Sequence, residues 1–529
     1  MSKRIVSVFL SVALLCCLLS VGTAVNAANS TAGSQFLLTH TSLGIDKSVY
    51  SKGRYENWAG VSTVCQFLDE KGNLCFAVQE DGKAAVYKIE NGTAKRVFSV
   101  PIGVGDRPGI LGTAVCDQSG NYYIVWGAVN SGDDTAVQTI FVSKIKADGS
   151  LSTTVGGDGS ESLAYYYPAS YHTKTPFDGG NCDAAINGDL LMVNYARKMY
   201  SGHQSNSVLV ININTMQLTG ELVDYNSHSF DQRVTPYSKT GGFLLESHGD
   251  CFSRNFTTAV TNANGRSLGE FNGFDFWVSQ GAYDKYDMWE LNRTYARLGN
   301  ILETGRGAAL IGSSARSLSE SAKNEPYDVF IQVFDPTGDP SDPSSFVTSG
   351  ERSGYAGMNG DTYVTNYGVK WLTDFAGTGL SADVVQAIST DDDRIVVLYE
   401  TAENGGTYCM LLGADGTVIQ DATYLGNVRL NVDEDPVFSH GAVQWLTNEN
   451  GSSELVLYSL QVCSGVPGDL TNNGEVDSDD LTALARIVAK IDDATALQRL
   501  AADVTHDGNV DSDDLTKLAQ YVARIIDAF

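Results

Sequence analysis

The sequence predicts a large all-β module followed by a small all-α domain at the C-terminus. Three observations support this division. Short apolar or alternating runs recur between about 60 and 462, and Asp-Gly, Asn-Gly and Gly-Gly turns separate them. The chain has 54 glycines and only 11 prolines, which suits many tight turns. Beyond about residue 467, apolar residues instead recur at helical spacing, after each of two copies of an acidic segment.

The first residues have the pattern of an export signal. Lys3 and Arg4 form a basic start, residues 5–19 are apolar, and small residues at Val25 and Ala27 suit a cleavage site. Residues 1–27 are therefore predicted to be a signal peptide. No later apolar stretch is long enough for a transmembrane anchor, so we expect a secreted, extracellular protein.

The charge of the chain bears on its partners. The formal charge is −28, and it becomes −30 without Lys3 and Arg4. Nucleic-acid binding depends on basic side chains that release counterions, so nucleic acid is not expected as a partner. Seven cysteines remain after residue 27, at spacings that indicate neither a disulfide framework nor a zinc site, and we expect them to be mostly buried.

The β-rich region shows a coarse repeat. Groups of two or three predicted strands recur about every 40 to 50 residues. Such spacing is typical of β-propeller blades, which are small sheets arranged around an axis. The seven groups cover residues 60–100, 111–154, 180–222, 227–270, 294–338, 382–422 and 434–462.

We therefore predict a seven-bladed β-propeller over residues 28–463. The last group is one strand short, and residues 35–40 are predicted to supply that strand and close the ring. Six or eight blades also fit the spacing, because 271–293 and 339–381 are long insertions. No blade motif of the WD, kelch or sialidase type is present, so the prediction depends on spacing alone.

Polar residues that could take part in binding or catalysis concentrate in the third to fifth groups. Four of the seven histidines lie between 172 and 248, close to several arginines. Successive blades bring equivalent positions together near the axis, so these residues are candidates for one pocket. The candidate catalytic residues are His203, His228, His248, Asp250, Arg233 and Arg254.

Three interpretations of this cluster remain open. The imidazoles and Asp250 would suit metal binding or general acid and base catalysis. The arginines, with nearby Gln and Tyr side chains, would suit a sugar or a carboxylate. Alternatively, the polar side chains join neighbouring blades through buried hydrogen bonds. No motif distinguishes an acid from a nucleophile, so a glycoside hydrolase, a polysaccharide lyase and a non-catalytic glycan- or protein-binding propeller all remain possible.

The C-terminal region contains one segment twice, as DLTNNGEVDSDD at 469–480 and DVTHDGNVDSDD at 503–514. A Ca²⁺ ion takes six to eight oxygens, which a twelve-residue loop supplies from positions 1, 3, 5, 7, 9 and 12. Gly474 and Gly508 are at position 6, where the loop turns sharply. We therefore predict two Ca²⁺ ions. The metal-ligand candidates are Asp469, Thr471, Asn473, Glu475 through its carbonyl, Asp477 and Asp480, and then Asp503, Thr505, Asp507, Asn509 through its carbonyl, Asp511 and Asp514.

Each loop precedes an apolar pattern at helical spacing, with Leu481, Leu484, Ile487, Val488 and Ile491 in the first copy and Leu515, Leu518, Tyr521, Val522 and Ile525 in the second. A helix does not precede the first loop, and position 12 is Asp rather than the Glu of an EF-hand. The segment resembles a type I dockerin, the duplicated module that attaches cellulosomal proteins to cohesins. It departs from the usual pattern at position 3, which is Thr, and at position 11, which is Asp.

The resemblance implies a partner and a setting. The partner is a cohesin module of a scaffoldin, and plant cell-wall polysaccharide is the implied substrate of the assembly. Near-identity of the two copies would permit docking in two orientations. The residues that the resemblance assigns to cohesin binding are Ser478, Asp479, Arg486 and Lys490, and Ser512, Asp513, Gln520 and Arg524. The predicted domains are a signal peptide (1–27), a propeller (28–463), a linker (464–468) and a dockerin domain (469–529).

Overall fold

The computed structural model shows a seven-bladed β-propeller and a separate set of helices in the C-terminal region. The prediction of fold class is confirmed. The structure describes residues 36–49, 60–159, 172–219, 229, 231–249, 254–277, 296–318, 325–356, 362–401, 406–449, 451–462, 467–471, 475–492, 494, 496–505 and 509–526. The predicted signal peptide and most of the predicted linker lie outside these ranges.

The first four blades follow one another along the chain. Blade 1 contains β2 (Val64–Leu68), β3 (Leu74–Glu80), β4 (Lys83–Glu90) and β5 (Thr93–Pro101). Blade 2 contains β6 (Gly103–Val104), β7 (Arg107–Cys116), β8 (Tyr122–Ala128), β9 (Ile140–Ile145) and β10 (Leu151–Gly157). Blade 3 contains β11 (Thr173–Pro176), β12 (Cys182–Asn187), β13 (Leu190–Met199), β14 (Gln204–Asn212) and β15 (Gln217–Leu218). Blade 4 contains β16 (Asp231–Tyr237), β17 (Gly241–Gly249), β18 (Arg254–Asn262) and β19 (Ser267–Trp277).

The remaining three blades complete the ring. Blade 5 contains β20 (Ala296–Thr304), β21 (Gly307–Ser314), β22 (Asp328–Phe334) and β25 (Lys370–Trp371), with an inserted hairpin of β23 (Glu351–Ala356) and β24 (Thr362–Tyr367). Blade 6 contains β26 (Ala382–Ser389), β27 (Ile395–Thr401), β28 (Gly406–Leu412) and β29 (Val418–Gly426). Blade 7 contains β30 (Val437–Ser439), β31 (Ala442–Asn448), β32 (Glu454–Val462) and, from the N-terminal region, β1 (Phe36–Asp46).

The hydrophobic core is divided among the seven blade interfaces. Each pair of neighbouring blades shares one cluster of buried apolar side chains, and the seventh cluster joins blade 7 to blade 1. Burial at every interface therefore stabilises a closed ring. Representative pairs, in ring order, are Phe67 and Trp126, Tyr123 and Leu191, Met192 and Phe243, Phe256 and Phe330, Ile311 and Val397, Leu398 and Trp445, and Leu446 and Phe76.

The strand at the axis of each blade runs in the same direction as its neighbour. Between β20 and β26, Arg297 Nε donates to the Asp383 carbonyl near the two strand starts (3.3 Å), and Ser389 Oγ donates to the Glu303 carbonyl near the two ends (3.1 Å). All inner strands therefore begin at one face of the ring, which we call the upper face. The inner strands are β2, β7, β12, β16, β20, β26 and β30.

The predicted closure of the ring by an N-terminal strand is confirmed. Strand β1 pairs antiparallel with β32, from Phe36 opposite Val462 to Ser42 opposite Val456. Phe36 and Leu38 alternate inward and join the cluster that contains the fully buried Trp445. Gln35, the first residue of the predicted strand, lies outside the described residues.

The same turn forms the β2–β3 hairpin of blade 1 and the β7–β8 hairpin of blade 2 at the lower face. In blade 1, Asp69 Oδ1 accepts from the backbone nitrogens of Lys71 (2.9 Å) and Asn73 (2.8 Å). In blade 2, Asp117 Oδ1 accepts from Ser119 N (2.8 Å) and Asn121 N (2.9 Å) in the same arrangement. The glycine before each Asn has a positive φ, 76° and 77°, which glycine adopts without strain. This Asp-x-x-Gly-Asn repeat is a local signal of the blade hairpins.

The two predicted insertions belong to blades 4 and 5. Strand β19 extends to Trp277, so the start of 271–293 is part of a blade. Within 339–381, β25 forms the outer strand of blade 5 and β23–β24 forms an extra hairpin. Arg352 holds that hairpin, because its buried guanidinium donates to the carbonyls of Asp275 (2.6 Å), Ala315 (2.7 Å), Ser317 (2.9 Å) and Arg316 (3.0 Å). Burial lowers the pKa of Arg352 to about 9.

In the described part of the C-terminal region there are three helices, α1 (Ser478–Val488), α2 (Ala496–Ala502) and α3 (Ser512–Val522). The first and third begin at equivalent aspartates, Asp477 and Asp511, each in a complete capping box. Their shared core contains Leu470, Leu484, Ala501, Ala502, Val504 and Leu518. The assignment of Ile491 and Ile525 to the apolar helix face was wrong. Each follows a residue of positive φ that ends the helix, and they are 66% and 72% exposed.

Candidate functional site

The first acidic loop folds around the carboxylate of Asp480, which is fully buried. Asp480 Oδ1 accepts from Thr471 N (2.8 Å), and Oδ2 accepts from Asp477 N (2.9 Å). Thr471 Oγ1 lies 3.4 Å from Asp469 Oδ1. The residues of loop positions 1, 3 and 12 therefore lie together, although ten residues lie between positions 1 and 12 in sequence.

The second loop repeats this geometry. Asp514 Oδ1 accepts from Thr505 N (3.0 Å) and from the Thr505 hydroxyl (2.9 Å), and Oδ2 accepts from Asp511 N (3.0 Å). Thr505 Oγ1 lies 3.4 Å from Asp503 Oδ1, the same separation as in the first loop. Two segments of different sequence at positions 2, 4, 5 and 7 thus adopt the same arrangement around position 12.

The donor set of these loops fits calcium. The contributing groups are carboxylates, hydroxyls and carbonyls, which are the hard oxygen ligands that Ca²⁺ prefers. Asn473 and Asp507, the position-5 candidates, lie outside the described residues. Asp477 and Asp511 also act locally, because each accepts from the backbone nitrogen two residues later, at 2.7 and 2.8 Å. Carbonyls of Glu475 and Asn509 belong to the described parts of the loops.

The predicted cohesin-binding residues lie at the two ends of α1 and α3. Seven of the eight are exposed, and Gln520 is partly buried. Arg486 is already engaged, because its Nε and Nη2 contact Asp492 Oδ2 (2.6 Å) and Oδ1 (3.0 Å). Arg524, the equivalent of Lys490, has positive φ as Lys490 does, so the two copies present these positions alike.

A second polar site lies at the axis of the propeller, near the upper face. Arg233 is on β16, the inner strand of blade 4, and is only 4% exposed. It forms a short ion pair with Asp231, and its Nε lies 2.8 Å from Asp435 Oδ2. Asp435 comes just before β30, the inner strand of blade 7. Because blades 4 and 7 lie on opposite sides of the ring, this ion pair crosses the axis.

Further carboxylates surround this ion pair. Asp183 on β12 accepts from Val234 N (2.6 Å) and Ala184 N (2.7 Å). Burial, with a contribution from Asp435, raises the pKa of Asp183 to about 7, and Arg233 opposes this shift. Burial raises the pKa of Asp231 to about 6, again against the effect of Arg233. Burial also raises the pKa of Glu434 well above its ordinary value.

The candidate catalytic residues named from the sequence lie at different distances from the propeller axis. Of the candidates that the structure describes, only Arg233 is on an inner strand. His248 is on β17 directly opposite Asp231, so it lies beside the axial site, and its ring packs 5.0 Å from that of Phe256. His203 follows β13 at a hairpin turn, one strand further from the axis. His228 and Asp250 lie outside the described residues, as does the side chain of Arg254.

Buried hydrogen bonds do join blades 3 and 4 in this region. Asn181 Nδ2 donates to Asp231 Oδ1 (3.1 Å), and Gln232 N donates to Asn181 Oδ1 (2.8 Å). Asn206 Nδ2 lies 3.4 Å from Ser247 Oγ. These contacts favour the third interpretation of the polar cluster at the residues concerned. Among all residues that the structure describes, no group of three or more His, Cys, Asp or Glu side chains is arranged to hold a metal ion.

The acidic axial residues were not among the sequence-derived candidates. Asp183, Glu434 and Asp435 lie far from one another in sequence, and only the segment 431–435, with three acidic residues in a row before Pro436, offered a signal. The cysteines behave as expected where they are described. Cys65, Cys75, Cys182 and Cys409 are buried and Cys116 is partly buried, all as free thiols.

Comparison with known proteins assigns the C-terminal region. The family model described as "Dockerin type I domain" matches residues 467–523. Dockerin type I domains are known to bind calcium and occur in secreted cellulosome proteins. No curated protein matches the chain. Within the described residues, the structure contains no helix with the length and apolar character needed to cross a membrane.

Solved structures match the chain at low sequence identity and low TM-score. The Trypanosoma rangeli sialidase is 10% identical with a TM-score of 0.36, and the match covers 79% of this chain and 59% of the sialidase. The WD40 domain of Toxoplasma gondii coronin is 11% identical with a TM-score of 0.39, covering 83% of this chain and 89% of that domain. The C-terminal WD40 domain of Sif2 is 10% identical with a TM-score of 0.35, covering 79% and 99%. Likenesses this weak carry no argument about activity.

Proposed function

From the dockerin type I domain at residues 467–523, we propose that this chain is a secreted component of a cellulosome and takes part in breakdown of plant polysaccharide. Its C-terminal domain would attach it to a cohesin module of a scaffoldin in a calcium-dependent manner. The observation that supports this most directly is the repeated geometry around Asp480 and Asp514, since a single acidic turn would not require a second copy with the same contacts.

Calcium binding would complete the fold of this domain. The ion supplies a positive charge that offsets the carboxylates at positions 1 and 12, and it links the two ends of each loop. Asp469 and Asp480 would hold the ion in the first loop, with Thr471, Asn473, Asp477 and the carbonyl of Glu475. Asp503 and Asp514 would do so in the second, with Thr505, Asp507, Asp511 and the carbonyl of Asn509. The core of this domain is small, so metal binding there contributes a large share of the folding free energy.

Docking would use the exposed ends of α1 and α3. The two copies present Ser478 and Asp479, or Ser512 and Asp513, on the first turn of a helix. Because their local geometry is the same, either copy would contact the cohesin, in orientations related by a half-turn. Arg486 would keep or exchange its contact with Asp492 on binding.

Calcium titration of the full chain tests the docking proposal. We expect Ca²⁺ to order the C-terminal helices and a chelator to abolish retention on an immobilised type I cohesin. Retention that persists in excess chelator would contradict it. Because cohesins differ in specificity, a panel of type I cohesins is needed, and retention by none of them would also contradict the proposal.

The propeller would supply the activity or the recognition that is brought to the polysaccharide. A screen of the full chain against plant cell-wall polysaccharides separates the alternatives by two readouts. Release of reducing or unsaturated ends would indicate a glycoside hydrolase or a polysaccharide lyase, and loss of that release in His248→Ala would connect it to the axial region. Retention on insoluble fibre without release would indicate a glycan-binding module. If the chain neither releases such ends nor is retained on fibre, a protein-binding propeller is the remaining alternative.

A further inference from the structure

A histidine away from the axis lies at the upper face, between blades 2 and 3. His172 comes just before β11, and its Nδ1 is 2.6 Å from the Thr135 carbonyl oxygen and 3.1 Å from Asp158 Oδ2. Because a carbonyl oxygen can only accept, Nδ1 carries the hydrogen and Nε2 carries the lone pair. The His172 side chain is 21% exposed, so solvent reaches part of the ring. The pair therefore has the arrangement of a general base, with a carboxylate beside Nδ1.

The backbone next to Asp158 is fixed from the interior of blade 3. Four side chains donate to the Gly159 carbonyl: Arg197 through Nη1 (2.8 Å), Thr173 and Ser207 through their hydroxyls (3.2 Å each), and Tyr195 through its hydroxyl (3.4 Å). Gly159 has a φ of 76°, and a Cβ there would lie 2.1 Å from Thr173 Oγ1, so only glycine fits. Thr173 N also donates to the Asp158 carbonyl (3.0 Å). These contacts hold Asp158 in position beside His172.

A hydroxyl and a cation lie close to this pair. The Tyr200 hydroxyl donates to the Asp134 carbonyl (3.0 Å), so the phenol and the imidazole contact the carbonyls of two adjacent residues. Lys174 Nζ lies 5.4 Å from the centre of the Tyr200 ring. Strand β8 runs antiparallel to the inner strand β7, so the loop after it, residues 129–139, lies at the upper face. A base, a hydroxyl and an ammonium group therefore surround residues 134–135 of this loop.

This set of groups fits one type of polysaccharide cleavage. In a 4-linked uronate, the proton on C5 is next to the carboxylate, and a base can remove it when a cation offsets the carboxylate charge. An imidazole and an ammonium group supply those two functions. Glycoside hydrolysis instead uses a pair of carboxylates, one on each side of the bond that breaks. The geometry at His172 and Lys174 thus favours elimination over hydrolysis.

We propose that His172 is the general base of an elimination that cleaves 4-linked uronates in plant polysaccharide, an inference that rests on the proposed function. His172 Nε2 takes the C5 proton, the electron pair of that bond forms the C4–C5 double bond, and the bond from C4 to the glycosidic oxygen breaks. The leaving oxygen takes a proton from water, and the imidazolium gives its proton to the hydroxide so formed. Lys174 holds the substrate carboxylate. Asp158 is a positioning residue, which stabilises the imidazolium through Nδ1.

Charges around the site bear on how a uronate would bind. Arg107 adds a second cation, and its Nη1 donates to the Gln138 carbonyl of the same loop (3.0 Å). Asp133 and Asp134 are exposed in that loop and carry the opposite charge. The negative charge of the whole chain gives no general attraction for a polyanion, so recognition depends on Lys174. Asp133→Asn is therefore expected to lower the KM for a uronate polymer about twofold and to leave kcat unchanged.

An assay of the full-length chain, with Ca²⁺ present, tests the proposal on polygalacturonate and rhamnogalacturonan. Elimination leaves a double bond conjugated with the carboxylate at each new non-reducing end, and ultraviolet absorbance measures it. We expect unsaturated ends from a uronate polymer and none from a neutral β-glucan. Reducing ends without unsaturation, or no new ends from either uronate polymer, would overturn the proposal. The proposed function is judged separately, by calcium-dependent retention on cohesin.

Substitutions assign the roles of the residues. His172→Asn retains an N–H donor for the Thr135 carbonyl but cannot take the proton, so kcat should fall by about 10²- to 10⁴-fold. Asp158→Asn should lower kcat about tenfold with KM within about threefold, because the Thr135 carbonyl still fixes the tautomer. Lys174→Met should lower kcat/KM by about tenfold or more. Each of these effects is absent if the residues have a structural role alone.

His440→Gln is the matched control. His440 is exposed in the turn after β30, at the opposite face of the ring, and its replacement should leave kcat within about twofold of wild type. Urea unfolding shows whether each variant is folded. If His172→Asn does not fold, Asp158→Asn and Lys174→Met decide the matter through the split between kcat and KM. A wild-type kcat in a folded His172→Asn chain, or wild-type kinetics in both Asp158→Asn and Lys174→Met, would overturn the proposal.

Discussion

Replacement of Leu38 by alanine tests whether the N-terminal strand is part of the propeller core. Leu38 is 5% exposed on β1 and belongs to the cluster of blades 6 and 7. Removal of a buried leucine side chain beyond Cβ costs about 2 to 5 kcal/mol, through lost transfer free energy and the cavity left behind. The loss of stability in Leu38→Ala should be in the lower half of that range, about 2 to 3 kcal/mol, because β1 is an outer strand and can move inward to fill part of the cavity.

Leu268→Ala is the matched control for this experiment. Leu268 lies on β19, the outer strand of blade 4, and is 52% exposed. The same change of side chain on an equivalent strand should therefore cost about 0.5 kcal/mol or less. Urea unfolding of the full chain measures both, with tryptophan fluorescence as the signal, since Trp445 is fully buried and stacked 5.4 Å from Tyr458. Equal losses of stability in the two variants would show that β1 does not pack into the ring in solution.

Three further predictions concern other parts of the chain. Asp480→Asn should weaken calcium binding to the first loop by about tenfold or more, since a buried ligand loses its charge. The neighbouring Asp479 is exposed, so Asp479→Asn should change the calcium affinity about twofold at most. Calcium titration by calorimetry measures both affinities, and equal effects would refute the assignment of position 12. Replacing Ser478 and Asp479 together should leave the cohesin affinity within about threefold of wild type, because the second copy still docks. Replacing the equivalent pairs in both copies should abolish binding. Loss of binding after the first replacement alone would exclude docking in two orientations. Arg352→Met should lower the free energy of unfolding by about 3 kcal/mol, because it leaves buried carbonyls without donors. Arg306 is exposed, so Arg306→Met should change the free energy of unfolding by about 0.5 kcal/mol or less. An Arg352→Met chain as stable as wild type in urea would contradict the role of this arginine in holding the inserted hairpin.

Local patterns in the sequence predicted the parts of the fold that depend on local contacts. The turns at Asp69 and Asp117 each form a hairpin within five residues, and such local turns make the blade repeat visible as a spacing of glycines and apolar runs. The calcium loops are equally local, because positions 1 to 12 are within one segment. The closing strand was also predictable, since the last group of strands was one short and residues 35–40 could supply the missing one.

Contacts across the axis were not predictable in this way. Asp183, Arg233 and Asp435 come from three distant segments, and only the closed ring brings them together. The clustering of histidines in sequence suggested one pocket, but only inner strands reach the axis, and His203 is on a turn one strand further out. Similarly, helical spacing alone did not reveal that α1 ends at Val488, where Lys490 takes positive φ and directs Ile491 to solvent.

The pairing of β1 with β32 has a mechanical consequence. Val462 is the last described residue of the propeller before the C-terminal region, so a pull on that region would act first along β32. Without β1, β32 would be an edge strand with hydrogen bonds to β31 alone, and it could be peeled away bond by bond. With β1 on one side and β31 on the other, β32 must slide against two neighbours at once before the ring opens. Strand β1, close to the N-terminus, would thus reinforce the end of the propeller on which a load at the C-terminal region would act.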